Sequence, residues 1–367
     1  MSCDFMALAT PGVQGLHPYE AGKPVEELER ELGIHDIIKL ASNENPLGPS
    51  ALAMAAVQAA LADITRYPDS NGFRLKAALH RHYGLDPSQL TLGNGSNDVL
   101  ELIARAFLRP GDEVIFSEYA FAVYPIVTQA CSARAVVTPA RDYGHNLQAM
   151  AEAITEQTRL IFIANPNNPT GTALMRDELT AFLAAVPENV IVVLDEAYTE
   201  YVDTEGFPDG LELLPRFPNL VVTRTFSKAW GLAGLRVGFA AANVAITDLL
   251  NRVRQPFNVS HLALVAAETV LEDSDYLSRS VELNREGMQQ LEQGLKQLGV
   301  GYIPSYGNFI AADMARPALP LFQALLREGV IVRPLGGYQM PRHLRISIGL
   351  AEENERLLRA LKRVLAC

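Results

Sequence analysis

The run TRTFSKAWGLAGLRVG, Thr223 to Gly238, sets one lysine, Lys228, among small and apolar residues, with Arg236 downstream. A lysine amine can form a Schiff base with a carbonyl, and burial beside other cations lowers its pKa enough to free the lone pair. Three other stretches hold polar groups at the ends of apolar runs. VVLDEAY places Asp195 after an apolar segment and Tyr198 three positions later. FIANPNNPTG places Asn165, Asn167 and Asn168 at a turn, and TLGNGSND places Gly95, Ser96 and Asn97 where a helix opens. A helix mouth presents free backbone N–H groups to an anion. GNGSND lacks the third glycine of a dinucleotide fingerprint, and no GxxxxGK[ST] loop occurs, so a single phosphate monoester is the anion expected. Ser96, Thr225, Ser227 and Arg236 are its candidate partners.

A reactive lysine, a lone carboxylate and a phosphate cradle together fit pyridoxal 5'-phosphate. Asp195 would pair with the pyridine nitrogen and keep the ring an electron sink. Tyr198 and Asn168 would hydrogen-bond the phenolic oxygen, and Tyr119 in DEVIFSEY would lie over the ring. Each residue also has a plainer reading. Lys228 could be a solvated lysine at a strand–helix junction, Asp195 a helix cap, NPNNPTG a turn, Tyr119 a core aromatic, and Arg345 a surface partner of Glu352 or Glu353. The conjunction carries the chemistry.

The elements that must position these groups follow from periodicity. DEVIFSE, ARAVVTPA, RLIFIANP, NVIVVLDEAY, LVVTRTFSK and RVGFAAA are short Val/Ile-rich runs separated by helical segments, the pattern of strands buried on both faces in an open, mostly parallel sheet. Reactive groups then collect at the carboxyl ends of the strands. Residues 1–45 read as an arm that is part of the small domain, 46–265 as a large cofactor-binding domain, and 266–367, where solvated helices mix with strands, as a smaller α/β domain.

Composition narrows the partners. The chain has 367 residues and a net charge of -11, which disfavours a nucleic-acid backbone as ligand. Its three cysteines, Cys3, Cys131 and Cys367, follow no pairing or metal-ligand spacing. No basic-then-apolar leader opens the sequence and no apolar run reaches membrane-spanning length, so a cytoplasmic protein without metal or membrane partner is expected.

The motifs NPNNPTG, DEAY, TFSKAWGLAGLRVG and LRISIG resemble those of the fold type I pyridoxal-phosphate aminotransferases. LHPYEAGKPVEEL, KLASNENPLGPS, RYPDSNG and EYAFAVYP are similar to the histidinol-phosphate aminotransferase family, and the likeness runs through nearly the whole chain. Ser117 stands where many members carry proline, which changes a turn and no reacting group. The resemblance implies catalytic roles for Lys228, Asp195 and Tyr198. It also implies cofactor contacts from Gly95, Ser96, Asn97, Tyr119, Asn168, Thr225, Ser227 and Arg236. Tyr67 resembles the tyrosine that reaches a neighbouring subunit's cofactor, implying a homodimer with shared sites. Tyr19, Asn43, Tyr67, Asn168, Arg333 and Arg345 match substrate contacts, Arg345 being the carboxylate-binding arginine. The implied reaction converts L-histidinol phosphate and 2-oxoglutarate to 3-(imidazol-4-yl)-2-oxopropyl phosphate and L-glutamate. An aromatic or broad-specificity aminotransferase of the same fold, a related decarboxylase and a non-enzymatic binding protein are the alternatives.

Overall fold

In the computed structural model, which describes residues 3–18 and 22–366, thirteen strands form three sheets among the described residues. In chain order they are β1 (Ile38–Lys39), β2 (Leu90–Gly93), β3 (Glu113–Ser117), β4 (Arg134–Thr138), β5 (Thr158–Ala164), β6 (Ile191–Asp195), β7 (Leu220–Thr225), β8 (Gly238–Ala242), β9 (Gly301–Ile303), β10 (Phe309–Asp313), β11 (Val330–Ile331), β12 (Arg333–Pro334) and β13 (His343–Ser347). The main sheet has the order β2-β8-β7-β6-β5-β3-β4. Only β8 runs against its neighbours.

Strand alternation explains why these runs are apolar throughout. Ile161, Ile163, Val192, Leu194 and Val222 enter one core cluster. Their chain neighbours Leu160, Phe162, Val193 and Val221 enter another on the opposite face. Helices cover both sides, so neither face can be polar. The helix Ser96–Phe107 buries Val99, Leu100, Leu102, Ile103 and Ala104, the spacing of one helical face. Its N-terminus is thereby aimed at the end of the sheet where Asp195 and Thr225 close β6 and β7.

The second unit is the antiparallel sheet β12-β13-β10-β9, backed by helices Ala318–Arg327 and Ala351–Leu365. Strand β1 pairs in parallel with β11, which ties the end of the arm to this unit. The amino-terminal part of the arm instead meets the large unit, where Gly12 N–H donates to Ser132 Oγ at 3.0 Å.

A division at 265/266 falls inside the helix His261–Val270, whose Ala263, Ala266, Ala267 and Val270 are buried in the large unit's core. The following helix, Ser274–Gln297, spans both units: Tyr276 packs in the large core, Leu291 and Leu295 in the small one. The polar face of that helix marks the change of texture, but the division of the core lies further along than the texture suggests.

Candidate active site

Lys228 sits in the turn that leaves β7. Phe226 and Trp230, both buried, flank it as anchors, and Gly231 N–H closes the turn on the Lys228 carbonyl at 3.0 Å. Gly231 has φ +70°, and a Cβ there would fall 1.9 Å from Tyr276 Oη, so the turn requires glycine. Lys228 Nζ donates to the Ser42 carbonyl at 3.1 Å. Burial, then the nearby Arg345 and Arg236 guanidiniums, pulls this amine down to about 7.

Asp195, the last residue of β6, is buried and points into the same cleft. Tyr124 Oη donates to its Oδ2 at 2.9 Å, and Thr223 Oγ1 donates to Oδ1 at 3.0 Å. Burial pushes the carboxyl toward protonation, while the two hydroxyl donors and Lys228 oppose it. Tyr198 Oη accepts from Asn43 Nδ2 at 3.0 Å and from Asn168 Nδ2 at 3.2 Å. Burial raises that phenol to about 12, so it acts as a neutral hydrogen-bonding group.

At one end of the cleft the backbone of Gly95 and Ser96 meets Arg236. Arg236 Nη1 donates to Ser227 Oγ at 3.2 Å, and Thr225 Oγ1 accepts from Ser227 N–H at 3.1 Å. Gly95 takes φ +85°, and a Cβ there would lie 2.4 Å from Arg236 Nη2. A Cβ on Gly238 would lie 2.6 Å from Ser96 N. These glycines let backbone, hydroxyl and guanidinium donors approach one another closely, an arrangement suited to an anion.

At the other end stand two arginines. Arg333 on β12 and Arg345 on β13 are direct cross-strand partners. Arg345 is oriented by Asn168 Oδ1 at 2.6 Å and the Ala41 carbonyl at 2.8 Å, while its buried Nε has no hydrogen-bond partner among the described residues. The cleft encloses about 170 Å³, and its lining carries Lys228, Arg236, Arg333 and Arg345 against one carboxylate, Asp195. This donor set fits pyridoxal 5'-phosphate: an amine for its aldehyde, a carboxylate for its ring nitrogen, a donor nest for its phosphate, and further cations for an anionic substrate.

Of the residues expected from sequence, Asn43, Ser96, Asn97, Asn168, Asp195, Tyr198, Thr225, Ser227, Lys228, Arg236, Arg333 and Arg345 all line this cleft. Gly95 shapes it through its backbone. Tyr119 does not lie over a ring site: its side chain packs beside Tyr143 at 5.6 Å between centroids, and its carbonyl accepts from Asn167 Nδ2 at 3.0 Å. The chain turns after β3, so Tyr119 points toward the smaller unit and Phe121, two residues on, takes the place in the lining. Tyr67 is 83% exposed and stacked on Phe257 at 4.6 Å, outside its own chain's cleft. Tyr19 lies outside the described residues.

Three contributors escaped the sequence reading: Phe121, Tyr124 and Thr223. Thr223 was accessible by alternation, since it lies on the same face of β7 as Thr225. Tyr124 carries the one hydroxyl at the start of the apolar run AVYPIV, a weak signal that gains meaning only once its helix is placed beside β6.

Fold and cleft together define a fold type I pyridoxal-phosphate aminotransferase. Residues 35–361 match the family model for aminotransferase class I and II, and the chain belongs to that family. It is 61% identical over 368 residues, all of both chains, to histidinol-phosphate aminotransferase 2 of a Pseudomonas fluorescens strain. It is 61% identical over 365 residues, 99% of each chain, to the protein of that name from Pseudomonas aeruginosa. The crystal structure of histidinol-phosphate aminotransferase from Sinorhizobium meliloti in complex with pyridoxal-5'-phosphate superposes with a TM-score of 0.91, at 30% identity and 97% coverage of both chains.

Proposed function

We propose that the protein is a histidinol-phosphate transaminase, moving an amino group between L-glutamate and 3-(imidazol-4-yl)-2-oxopropyl phosphate to give 2-oxoglutarate and L-histidinol phosphate. The observation that carries the reading is the meeting, in one cleft, of an amine held near pKa 7, a buried carboxylate and three arginines. Similarity along the full length to histidinol-phosphate aminotransferases supports the choice of substrate.

When bound, pyridoxal 5'-phosphate supplies an aldehyde that condenses with amines and a ring that withdraws electrons from the amino-bearing carbon. Lys228 would hold it covalently, Asp195 would face its ring nitrogen, and Asn168 and Tyr198 its phenolic oxygen. Phe121 would cover one face, and the Gly95–Asn97 backbone with Ser96, Thr225, Ser227 and Arg236 would take its phosphate.

The chain's own residues then divide the work. Tyr124 and Thr223 orient Asp195 and favour its charged form, opposing the burial that favours its neutral form. Lys228 is neutral for a large fraction of the time near pH 7, so Nζ can take a proton from the substrate carbon and give it back. Arginine at that position would stay charged and could not do so. Arg345, braced by Asn168 and the Ala41 carbonyl, presents a fork to a carboxylate, and Arg333 beside it serves the phosphate end. Asn43 links the arm to this set through Tyr198.

Tyr67 belongs, in this reading, to the partner subunit's site in a homodimer. Its exposure, along with that of Leu61, Ile64 and Phe73 in the same stretch, supports a covered face there. The test is a substrate panel with 2-oxoglutarate as acceptor. A kcat/KM for histidinol phosphate well above that for phenylalanine is expected; the reverse order refutes the substrate assignment, and a protein that binds no pyridoxal phosphate refutes the class.

A further inference from the structure

The stretches 198–200 and 228–230, which follow β6 and β7, meet at two points. The first contact lies in the cleft, where Lys228 Nζ stands 5.7 Å from the centre of the Tyr198 ring. The second lies two residues further along each segment, where Trp230 Nε1 donates to Glu200 Oε1 at 3.2 Å. Tyr198, Glu200, Trp230 and Lys228 thus close a ring: two short stretches of backbone joined by one contact on the cleft side and one hydrogen bond on the core side.

The core-side contact is built to hold position. Trp230 is 2% exposed, its indole wedged against the His82 ring edge at 5.5 Å and near Phe226 at 6.2 Å. Rotation of the indole is therefore blocked, and its N–H direction is set by packing. Glu200 lies in the short 3-10 turn Thr199–Tyr201 that follows directly on Tyr198. Its second oxygen, Oε2, is buried without a hydrogen-bond partner among the described residues. A half-satisfied buried carboxylate costs stability, and such a cost persists where geometry is being held.

We infer that Glu200 is a positioning residue for the transamination: by gripping the packed Trp230 indole it holds the turn that follows Tyr198, and so sets the distance and direction of Tyr198 relative to Lys228. The inference rests on the reading of Lys228 given above. Neither Glu200 nor Trp230 lines the cleft, so neither touches the reacting atoms.

The test uses the pyridoxal-phosphate-loaded enzyme and four variants. Glu200→Ala removes the acceptor, and Trp230→Phe removes the donor while keeping a buried ring. Glu200→Gln keeps an acceptor oxygen at the same reach, and the Glu200→Ala/Trp230→Phe double variant removes both groups. Kcat is expected to fall on the order of tenfold in each of the first two, with KM for glutamate within about twofold. The double variant should be no slower than the slower single, the signature of two groups acting as one link. Glu200→Gln should restore kcat.

A readout independent of turnover is available because Trp230 is the only tryptophan of the chain. Its emission in the cofactor-free protein should shift in Glu200→Ala and return to the parental position in Glu200→Gln. Unchanged kcat in Glu200→Ala, with a lowered Tm alone, overturns the inference and leaves Glu200 a stability residue. So does strict additivity in the double variant. Absence of transaminase activity in the parent enzyme would instead sink the functional reading beneath it.

Discussion

A pH-dependent gain of stability should follow from removing the reactive amine. Consider Lys228→Met in the cofactor-free protein. The amine titrates at about 7 in the folded chain and at the ordinary 10.5 when unfolded. Between these values the unfolded chain holds a proton that the folded chain has released, so stability rises with pH through that window. Below pH 7 both states are protonated and the full penalty of housing the ammonium is present. The gap of about 3.5 pH units corresponds to about 5 kcal/mol at about 1.4 kcal/mol per unit. Water entering the cleft screens part of that, so about 2–3 kcal/mol is expected in practice. Methionine has similar length and no charge, and tolerates irregular surroundings.

Lys228→Met should therefore be more stable than the parent by about 2–3 kcal/mol at pH 6, with the difference fading toward zero by about pH 10. The assay is urea denaturation followed by Trp230 emission, at one protein concentration, across that range. Differencing the two proteins at each pH cancels the other titrating groups. A difference that does not change with pH, or a parent that is the more stable at pH 6, would refute the claim that burial beside Arg345 and Arg236 depresses this amine.

Other outcomes follow from the same geometry. Asp195→Asn should lower kcat on the order of 10²-fold or more while moving KM little, checked by steady-state kinetics with glutamate. Gly95→Ala should cost about 1–3 kcal/mol, because φ +85° with ψ 164° is a region open to glycine and the new methyl would meet Arg236. Equilibrium dialysis should show weaker binding of pyridoxal phosphate to it. Arg224→Leu should cost about 3–5 kcal/mol, since Arg224 grips buried Glu196 through Nε at 3.0 Å and Nη2 at 2.7 Å. Burial already raises Glu196 to about 7, so this cost should shrink as pH falls and the stranded carboxylate takes up a proton.

Asp195 and Glu196 show how far a sequence reads. They are chain neighbours of one type, and strand alternation says only that they face opposite ways. Asp195 takes hydroxyl donors and the cleft; Glu196 takes Arg224, and neither of that pair lines the cleft. The motif DEAY distinguishes them through resemblance, and the structure gives the reason in their different partners. The Tyr119 expectation failed for a related cause. Its segment offers aromatic side chains at 119 and 121, and only the path of the turn after β3 decides which one enters the cleft.

What the amino-acid order determined alone was local: apolar runs long enough for buried strands, glycines where the backbone must take positive φ, and the lysine, aspartate and asparagines at the ends of those runs. These depend on sterics and periodicity within a few residues. What the tertiary structure decided was which distant groups become neighbours. It placed Tyr124 on Asp195, Arg333 opposite Arg345, Glu200 on Trp230, and the division between cores inside a helix that appears continuous in sequence. Those choices come from packing several elements into one volume at once, where burial lowers an amine and raises a carboxyl by amounts that no spacing of residues along the chain can express.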